Sequence, residues 1–290
     1  MKSLLITGAG SKFVPYLLKI LIEEFDQIIL LSKCSVNIYS YKNIQSIKFD
    51  LSSSHKIPAK VDIIIHLASI VPYGRCFDSS FSLFTENLKI TNNVMRYALS
   101  VSAKKLIFIS SSDVYPLYNE NIISLDTNPN PHNEYGLSKL GSERLLSVYS
   151  AMYDIPVSIL RLGPVYSENN SKSNEVSRMI MDIREHRTIF LKHPNSVPSL
   201  VSIENACLAI KASIESPEGT FLISGQPLSL REFFELAKIT YNSRSKISLS
   251  ANLDANIKLI FDTKISHESL GWDPIHLSKV FSNSAIDIQT

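Results

Sequence analysis

Tyr135 and Lys139 are the residues of this sequence whose types and spacing could move a proton. Four residues apart, they share one face of a helix, and a neighbouring ammonium favours the charged form of a phenol. Tyr135 is therefore a candidate acid or base near neutral pH. Because such a short pair also arises by chance, its position matters. It opens the helix after the fifth predicted strand, which ends in hydroxyl residues at 110–112 that could polarise a carbonyl beside the tyrosine.

A glycine turn joins the first predicted strand to the first predicted helix. Glycine is scarce, with 9 in 290 residues, so the turn merits a specific interpretation. Backbone N–H groups at a helix N-terminus, together with the helix dipole, favour a pyrophosphate. The expected contacts are Gly8, Gly10, Ser11, Lys12 and Phe13. The dinucleotide fingerprint has later glycines where this chain has Ser11 and Val14, and we expect Val14 to push the helix slightly off the sheet. A plain strand-to-helix turn is the alternative.

The end of the second predicted strand bears on the choice of cofactor. Sheets that bind NAD place a carboxylate there for the ribose 2′-hydroxyl. Here Asp26 comes before the strand, and the strand ends in Ser32 and Lys33, which can accept a 2′-phosphate. We therefore expect NADP, with NAD as the other cofactor this site could take. The alternative for Lys33 is a solvated surface lysine.

Short apolar runs alternate with amphipathic stretches through the first half of the chain. Continuous β-branched runs indicate strands buried on both faces, and their alternation with helices predicts a doubly wound parallel sheet. The predicted strands are 3–6, 28–31, 47–49, 61–66, 106–110 and 158–162, and the predicted helices are 15–24, 86–100, 134–153 and 175–187. The fold class is α/β, with a Rossmann-type dinucleotide-binding domain over residues 1–165 and a smaller C-terminal α/β substrate domain over 166–290.

Composition excludes several classes of protein. The chain is 44% hydrophobic and 19% charged, which suits a full core, and its net charge of +2 argues against nucleic-acid binding. No apolar run reaches the ~18 residues of a membrane helix, and no signal peptide is expected. Three distant cysteines fit neither disulfides nor zinc. His66 is interpreted as a packed histidine, so no metal is expected. These features favour a cytoplasmic location.

An ordered series of motifs extends over nearly the whole chain. It comprises Thr7 to Ala9, Asp50 with Leu51, the segment 62–68, Asn87, the segment 111–115, Tyr135 with Lys139, and the segments 160–166, 202–206 and 270–274. Each motif is common by itself. In this order they resemble the extended short-chain dehydrogenase/reductase family of nucleotide-sugar epimerases, dehydratases and reductases.

The resemblance implies roles for particular residues. Tyr135 would donate the proton, Lys139 would bind the nicotinamide ribose and tune Tyr135, and Ser111 would bind the reacting oxygen. The other cofactor contacts would be Asp50, Leu51, Leu67, Ala68 and the backbone of Val165. The second domain would hold a nucleotide-sugar, and the substrate-binding candidates are Tyr73, Ser112 and Asn169.

Within that family the residues favour a reductase. The 4,6-dehydratases have Thr-Asp-Glu where this chain has Ser111, Ser112 and Asp113, so only one carboxylate remains for an elimination that needs both an acid and a base. Fucose-type epimerase-reductases pair a cysteine with a histidine, and the matching residues here are Asp113 and, approximately, Asn169.

The cofactor loop leads to the same preference. A 4-epimerase holds its NAD tightly, whereas the altered glycine turn and the strand end at Ser32 and Lys33 favour an exchanging NADPH. We therefore expect an NADPH-dependent reductase of a nucleotide-linked 4-keto-6-deoxy sugar. A nucleotide-sugar 4-epimerase is the alternative. A cofactor-sensing regulator on the same fold is a third hypothesis, disfavoured because both Tyr135 and Lys139 are present.

A homodimer is also expected. By the resemblance, helices 86–100 and 134–153 pair with their copies in a four-helix bundle. Apolar residues recur on these helices at helical spacing, in excess of what one sheet face can cover: Val94, Tyr97, Ala98, Leu145, Val148 and Met152. Pure core packing is the alternative.

Overall fold

One parallel sheet forms the centre of the computed structural model, which describes residues 2–34, 41–71, 80–116, 122–168, 174–249 and 258–282. In chain order its strands are β1 Ser3–Thr7, β2 Gln27–Ser32, β3 Ile44–Lys48, β4 Ile63–His66, β5 Lys105–Ser111, β6 Val157–Leu162, β7 Val165–Tyr166, β8 Ile189–Leu191, β9 Val201–Ser202, β10 Gly219–Ile223 and β11 Ile247–Leu249. Seven of these make the central sheet, in the order β10-β6-β5-β4-β1-β2-β3.

Helices cover both faces of that sheet, and others pack in the second half of the chain. The helices of the described residues are α1 Phe13–Leu21, α2 Ser80–Val101, α3 Glu134–Tyr153, α4 Glu175–Arg184, α5 Ile203–Ala212, α6 Leu230–Thr240, α7 Lys264–Leu270 and α8 Leu277–Ser282, with a 3-10 turn at Ser112–Val114. One face packs against α1 and α5 and the other against α2 and α3. The doubly wound α/β fold predicted from the sequence is therefore confirmed.

Continuous burial explains why the central strands were readable from the sequence. Every residue of β1, β4 and β6 is buried, as uninterrupted apolar runs predict for strands covered on both faces. The edge strand β3 is only half-buried, and it lies at Ile44–Lys48 where 47–49 was predicted. Helix α2 begins at Ser80, six residues before the predicted start at residue 86.

The second half of the chain contributes a strand to the central sheet and a helix to one of its faces. Strand β10 pairs in parallel with β6, and α5 packs beside α1, so the central sheet takes its edge strand from beyond residue 165. The pairs β7–β9 and β8–β11 form two small sheets. A separate core that includes Tyr166, Ile180 and Phe233 lies between them and α4, α6 and α8. The predicted domain boundary at residue 165 stays a prediction.

The helix faces predicted to pair in a dimer divide into two groups. Val94, Tyr97 and Ala98 are fully buried in the core of their own chain, so they cannot supply the predicted apolar surplus. Val148 and Met152 on α3 are 56% and 66% exposed. The homodimer stays a prediction. Among the helices that the structure describes, none is long and apolar enough to cross a membrane.

Candidate active site

The glycine turn after β1 has the space that a phosphate group needs. Gly8 has φ +74°, and a Cβ there would lie 2.7 Å from the backbone nitrogen of Ala68, so only glycine suits this position. A Cβ on Gly10 would meet nothing within 4 Å. Ser11 closes the turn by donating its backbone N–H to Gly8 at 2.8 Å, and α1 follows from Phe13. An open turn at a helix N-terminus fits the diphosphate of a dinucleotide.

The ends of β2 and β3 bring Lys33 to Asp50. The Lys33 ammonium lies 2.9 Å from the Asp50 carboxylate, and the Lys33 side chain is 73% exposed. The hydrogen bond from Lys33, reinforced by Ser52, lowers the pKa of Asp50 to about 2. Ser32 lies beside them, and its backbone oxygen accepts a hydrogen bond from Phe49. Thus a carboxylate does stand at this strand edge, although it comes from the loop after β3 and not from the end of β2.

Asn87 fixes the segment that follows β4. Its side-chain oxygen accepts the Ile70 N–H at 2.7 Å, and its amide donates to the Ile70 carbonyl and to Ser138 on α3, both at 3.0 Å. Directly after the strand, the Ala68 N–H donates to the Thr7 hydroxyl at 3.2 Å. The predicted cofactor segment Leu67–Ala68 is therefore held against the glycine turn on one side and the helix of Tyr135 and Lys139 on the other.

Lys139 is buried below Tyr135. Its ammonium donates to the Ile109 carbonyl at 2.8 Å and lies 5.5 Å from the centre of the Tyr135 ring and 4.9 Å from that of Phe108. Burial lowers the pKa of Lys139 to about 8, while the Glu143 carboxylate raises it. The predicted tyrosine–lysine pair is thus assembled, with the ammonium on the sheet side of the phenol ring.

Gly136 sets how closely α3 approaches the end of β5. A Cβ on Gly136 would lie 1.9 Å from the backbone oxygen of Asp113, so α3 could not pack there with any other residue. The helix starts at the N-cap Asn133, whose side chain accepts the Gly136 N–H at 2.7 Å. Ser111 ends β5 and accepts the Asp113 N–H at 3.1 Å. This contact brings the start of α3, with Tyr135, against the turn that carries Ser111.

A buried ion pair lies one helical turn beyond Lys139. Arg161 on β6 binds Glu143 with Nη2 2.7 Å from Oε2 and Nε 3.1 Å from Oε1, and both side chains are almost fully buried. Ser110 donates to the same carboxylate at 2.5 Å, and Arg161 donates to the Tyr115 hydroxyl at 2.6 Å. Sequence analysis missed this network. An arginine inside an apolar strand was a usable signal, because a buried arginine needs an acidic partner.

Val165 connects the glycine turn with β7. Its carbonyl accepts a hydrogen bond from the Lys12 ammonium at 3.1 Å and another from the Asn174 amide at 2.7 Å. Burial lowers the pKa of Lys12. Lys12 therefore reaches from the predicted pyrophosphate turn to the backbone that was predicted to face the nicotinamide.

The remaining predicted residues separate into two groups. Leu51 and Ser112 are buried near the strand ends, whereas the substrate candidates Tyr73 and Asn169 lie outside the described residues.

His66 is a packed histidine, with Nδ1 2.8 Å from the Thr7 hydroxyl and Nε2 3.3 Å from that of Thr91.

The parallel sheet, the glycine turn at its first strand and the tyrosine–lysine pair beyond its fifth strand define an enzyme that works with a nicotinamide dinucleotide. Residues 4–220 match the NAD dependent epimerase/dehydratase family, and the chain belongs to this family. The resemblance drawn from the ordered motifs is therefore confirmed.

Individual relatives are distant. The chain is 24% identical to a putative UDP-glucose 4-epimerase of Methanocaldococcus jannaschii over 93% of both chains. It is 23% identical to human dTDP-D-glucose 4,6-dehydratase over 64% of this chain and 57% of that protein. A solved structure of UDP-glucuronic acid 4-epimerase from Bacillus cereus, in complex with UDP-glucuronic acid and NAD, superposes with a TM-score of 0.79 at 19% identity, covering 96% of each chain. This superposition supports the fold.

Proposed function

We propose that the protein is a nucleotide-sugar 4-epimerase that works with bound NAD. The observation that carries the proposal is the pair that Tyr135 forms with the buried Lys139, placed beyond the same sheet edge as the glycine turn. Oxidation and reduction at one carbinol carbon need one such pair. The putative 4-epimerase activity of the Methanocaldococcus relative and the ligands of the Bacillus cereus enzyme support the same function.

The residues at the strand ends suit NAD. The backbone of the turn at Gly8 and Gly10 would hold the diphosphate, with the Lys12 ammonium close enough to add a positive charge. Leu67, Ala68 and Val165 would line the rest of the dinucleotide. When bound, the nicotinamide supplies the hydride chemistry that the side chains lack.

The protein's own groups would move the proton. Tyr135 would take the proton of the sugar hydroxyl during oxidation and return it during reduction, while the ammonium of Lys139 favours the phenolate. Ser111, fixed at the end of β5 by the Asp113 N–H, would hold the reacting oxygen. Orientation by these fixed groups is the protein's main contribution to the rate.

The ion pair at the adenosine end supports NAD over NADP. Lys33 is paired with Asp50 at 2.9 Å, so the two together carry no net charge to attract a 2′-phosphate. A carboxylate at this edge can also accept a hydrogen bond from a free ribose hydroxyl.

An NADPH-dependent 4-keto-sugar reductase is the second candidate, because β2 itself ends in Ser32 and Lys33 with no carboxylate of its own. Dehydration is disfavoured, since Asp113 is the one carboxylate in the turn after β5 and it is hydrogen-bonded to Ser111.

The test is to incubate the purified protein with UDP-glucose, UDP-N-acetylglucosamine and UDP-glucuronic acid and to follow the products by chromatography. We expect conversion of at least one sugar to its 4-epimer without net oxidation or reduction of cofactor, and no reaction of free glucose. Stoichiometric consumption of NADPH with a nucleotide-linked 4-keto sugar, and no epimerisation, would instead establish the reductase.

A further inference from the structure

Three buried charges lie in a row behind the proposed proton donor. Lys139, Glu143 and Arg161 are 4%, 2% and 7% exposed. Lys139 and Glu143 are one turn apart on α3, where side chains four residues apart are neighbours. Arg161 reaches Glu143 from β6 with two nitrogens, Nε donating to Oε1 and Nη2 to Oε2, a fork geometry that fixes the carboxylate.

The direct contacts of Lys139 leave Glu143 as a source of negative charge for its ammonium. The ammonium donates to a backbone carbonyl and faces the rings of Phe108 and Tyr135. While Tyr135 is a neutral phenol, none of these partners carries a formal negative charge. His66 on β4 also faces Lys139, but burial lowers the pKa of His66 to about 3, so it is neutral near pH 7. Among the described residues, the carboxylate whose charge acts on Lys139 is that of Glu143. Its partner Arg161 in turn binds the Tyr115 hydroxyl.

We propose that Glu143 is a positioning residue of the reaction: held by Arg161 and Ser110, it keeps Lys139 in the ammonium form beneath Tyr135. This inference rests on the proposed role of Tyr135 in proton transfer. Glu143 does not reach the reacting atoms in this proposal, and it acts only through Lys139.

Burial and the Glu143 charge act on Lys139 in opposite directions. Burial lowers the pKa of Lys139 to about 8, and the Glu143 carboxylate raises it. Removing the carboxylate leaves burial unopposed and leaves the Arg161 cation without its counter-charge, and both favour the neutral amine. The ammonium then loses its proton at lower pH. The pull on the Tyr135 phenolate then weakens in the pH range where the enzyme works.

The direct test is to titrate Lys139 in the protein without added cofactor. The Cε carbon resonance of Lys139 is assigned by its loss in Lys139→Arg and is then followed through the alkaline range. In Glu143→Gln we expect the acid dissociation constant of Lys139 to rise roughly tenfold or more. The alkaline limb of the pH–activity profile should move to lower pH by the same factor.

Matched variants separate this role from a loss of structure. Glu143→Gln leaves Arg161 buried without its partner, so Glu143→Gln/Arg161→Gln is made beside it. The double variant should shift the Lys139 titration in the same direction but by less, because the Arg161 charge is removed as well. Glu143→Asp keeps the charge, so Lys139 should titrate closer to its wild-type pH than it does in Glu143→Gln. Tyr115→Phe disturbs the same network without changing its charges and should leave that titration unchanged.

The outcomes distinguish this inference from the proposed function. A Lys139 titration that is unchanged in both Gln variants overturns the role of Glu143, whatever the activity. Full activity of Tyr135→Phe would overturn the proposed proton donor, while the Lys139 titration would still report the effect of Glu143.

Discussion

Two ion pairs of nearly equal length lie at opposite ends of the candidate site. Arg161 and Glu143 are 2.7 Å apart with side chains 8% and 3% exposed, and Lys33 and Asp50 are 2.9 Å apart with side chains 73% and 36% exposed. Water screens the second pair and hardly reaches the first. Distance alone therefore says little about the energetic importance of either pair.

The two pairs differ in whether water can solvate one member when the other is removed. When one member of a buried pair is removed, the other keeps its charge without water to solvate it, which is costly. An exposed pair can separate into water and can re-form around a ligand at little cost. The end of the site at α3 is thus built for fixed geometry, and the end at β2 and β3 for adjustment.

The largest effect is expected at the fixed end, from Tyr135→Phe. The variant keeps the ring beside Lys139 but loses the hydroxyl that exchanges the proton, so turnover should fall roughly 10²–10⁴-fold. Steady-state rates with the nucleotide-sugar identified as substrate measure the loss. Calorimetry should show that NAD binding survives, and a variant with more than half of the wild-type rate would remove Tyr135 from the reaction.

The next effect concerns stability. Arg161→Met leaves the Glu143 carboxylate buried with Ser110 but without its cation, and the free energy of unfolding should fall by about 3–5 kcal/mol. Urea denaturation measures this change. Lys33→Met is the matched control at the exposed pair, where we expect no resolvable change. Equal losses for the two variants would contradict the comparison between the ends.

Local features of the fold were predicted from the sequence better than contacts between distant elements. The buried strands were predicted correctly, and Tyr135 and Lys139 lie together on one helix as their spacing indicated, because continuous apolar runs and short-range spacing are local signals. Their catalytic roles stay predictions. The packing of Gly136 against Asp113 was not predicted, since a contact between two elements depends on where the chain returns in space. The same holds for the strand β10 from the second half, which joins the sheet only through its pairing with β6.

The ion pairs were also hard to predict, because their partners come from distant parts of the sequence. From the sequence, Lys33 had no visible partner, because Asp50 follows another strand. The register of β2 with β3, which pairs Ser32 with Lys48, brings Lys33 and Asp50 together. Glu143 stood one turn beyond Lys139, where a local pattern could have found it. Its partner Arg161 comes from β6, so the pair itself required the fold.

A third effect links the buried interior to pH. Burial lowers the pKa of His66 from 6.5 to about 3, so the folded protein holds this ring neutral while the unfolded chain protonates it below pH 6.5. Stability from His66 is therefore present above pH 6.5 and is lost as the pH falls towards 3, at up to about 1.4 kcal/mol per pH unit. Urea denaturation across this range should give a flatter dependence for His66→Gln than for the wild type. Parallel curves would mean that His66 is protonated in the folded state as well.

The smallest effect is expected at the exposed pair, and it decides between the cofactors. In Lys33→Ala the Asp50 carboxylate loses a partner that water largely replaces, so the affinity for NAD should change within about fivefold. The freed carboxylate is exposed and water screens it, so its repulsion of a 2′-phosphate should be weak. NADP should therefore lose no more than a similar factor, and added salt should shrink both changes. Calorimetry with NAD and NADP at low and high salt measures them, and Lys48→Ala, an exposed lysine on β3, is the matched control.

A loss of tenfold or more confined to NADP would mean that Lys33 leaves Asp50 to bind the 2′-phosphate. The exposed pair would then be a built cofactor contact, and the NADPH-dependent reductase would become the better assignment.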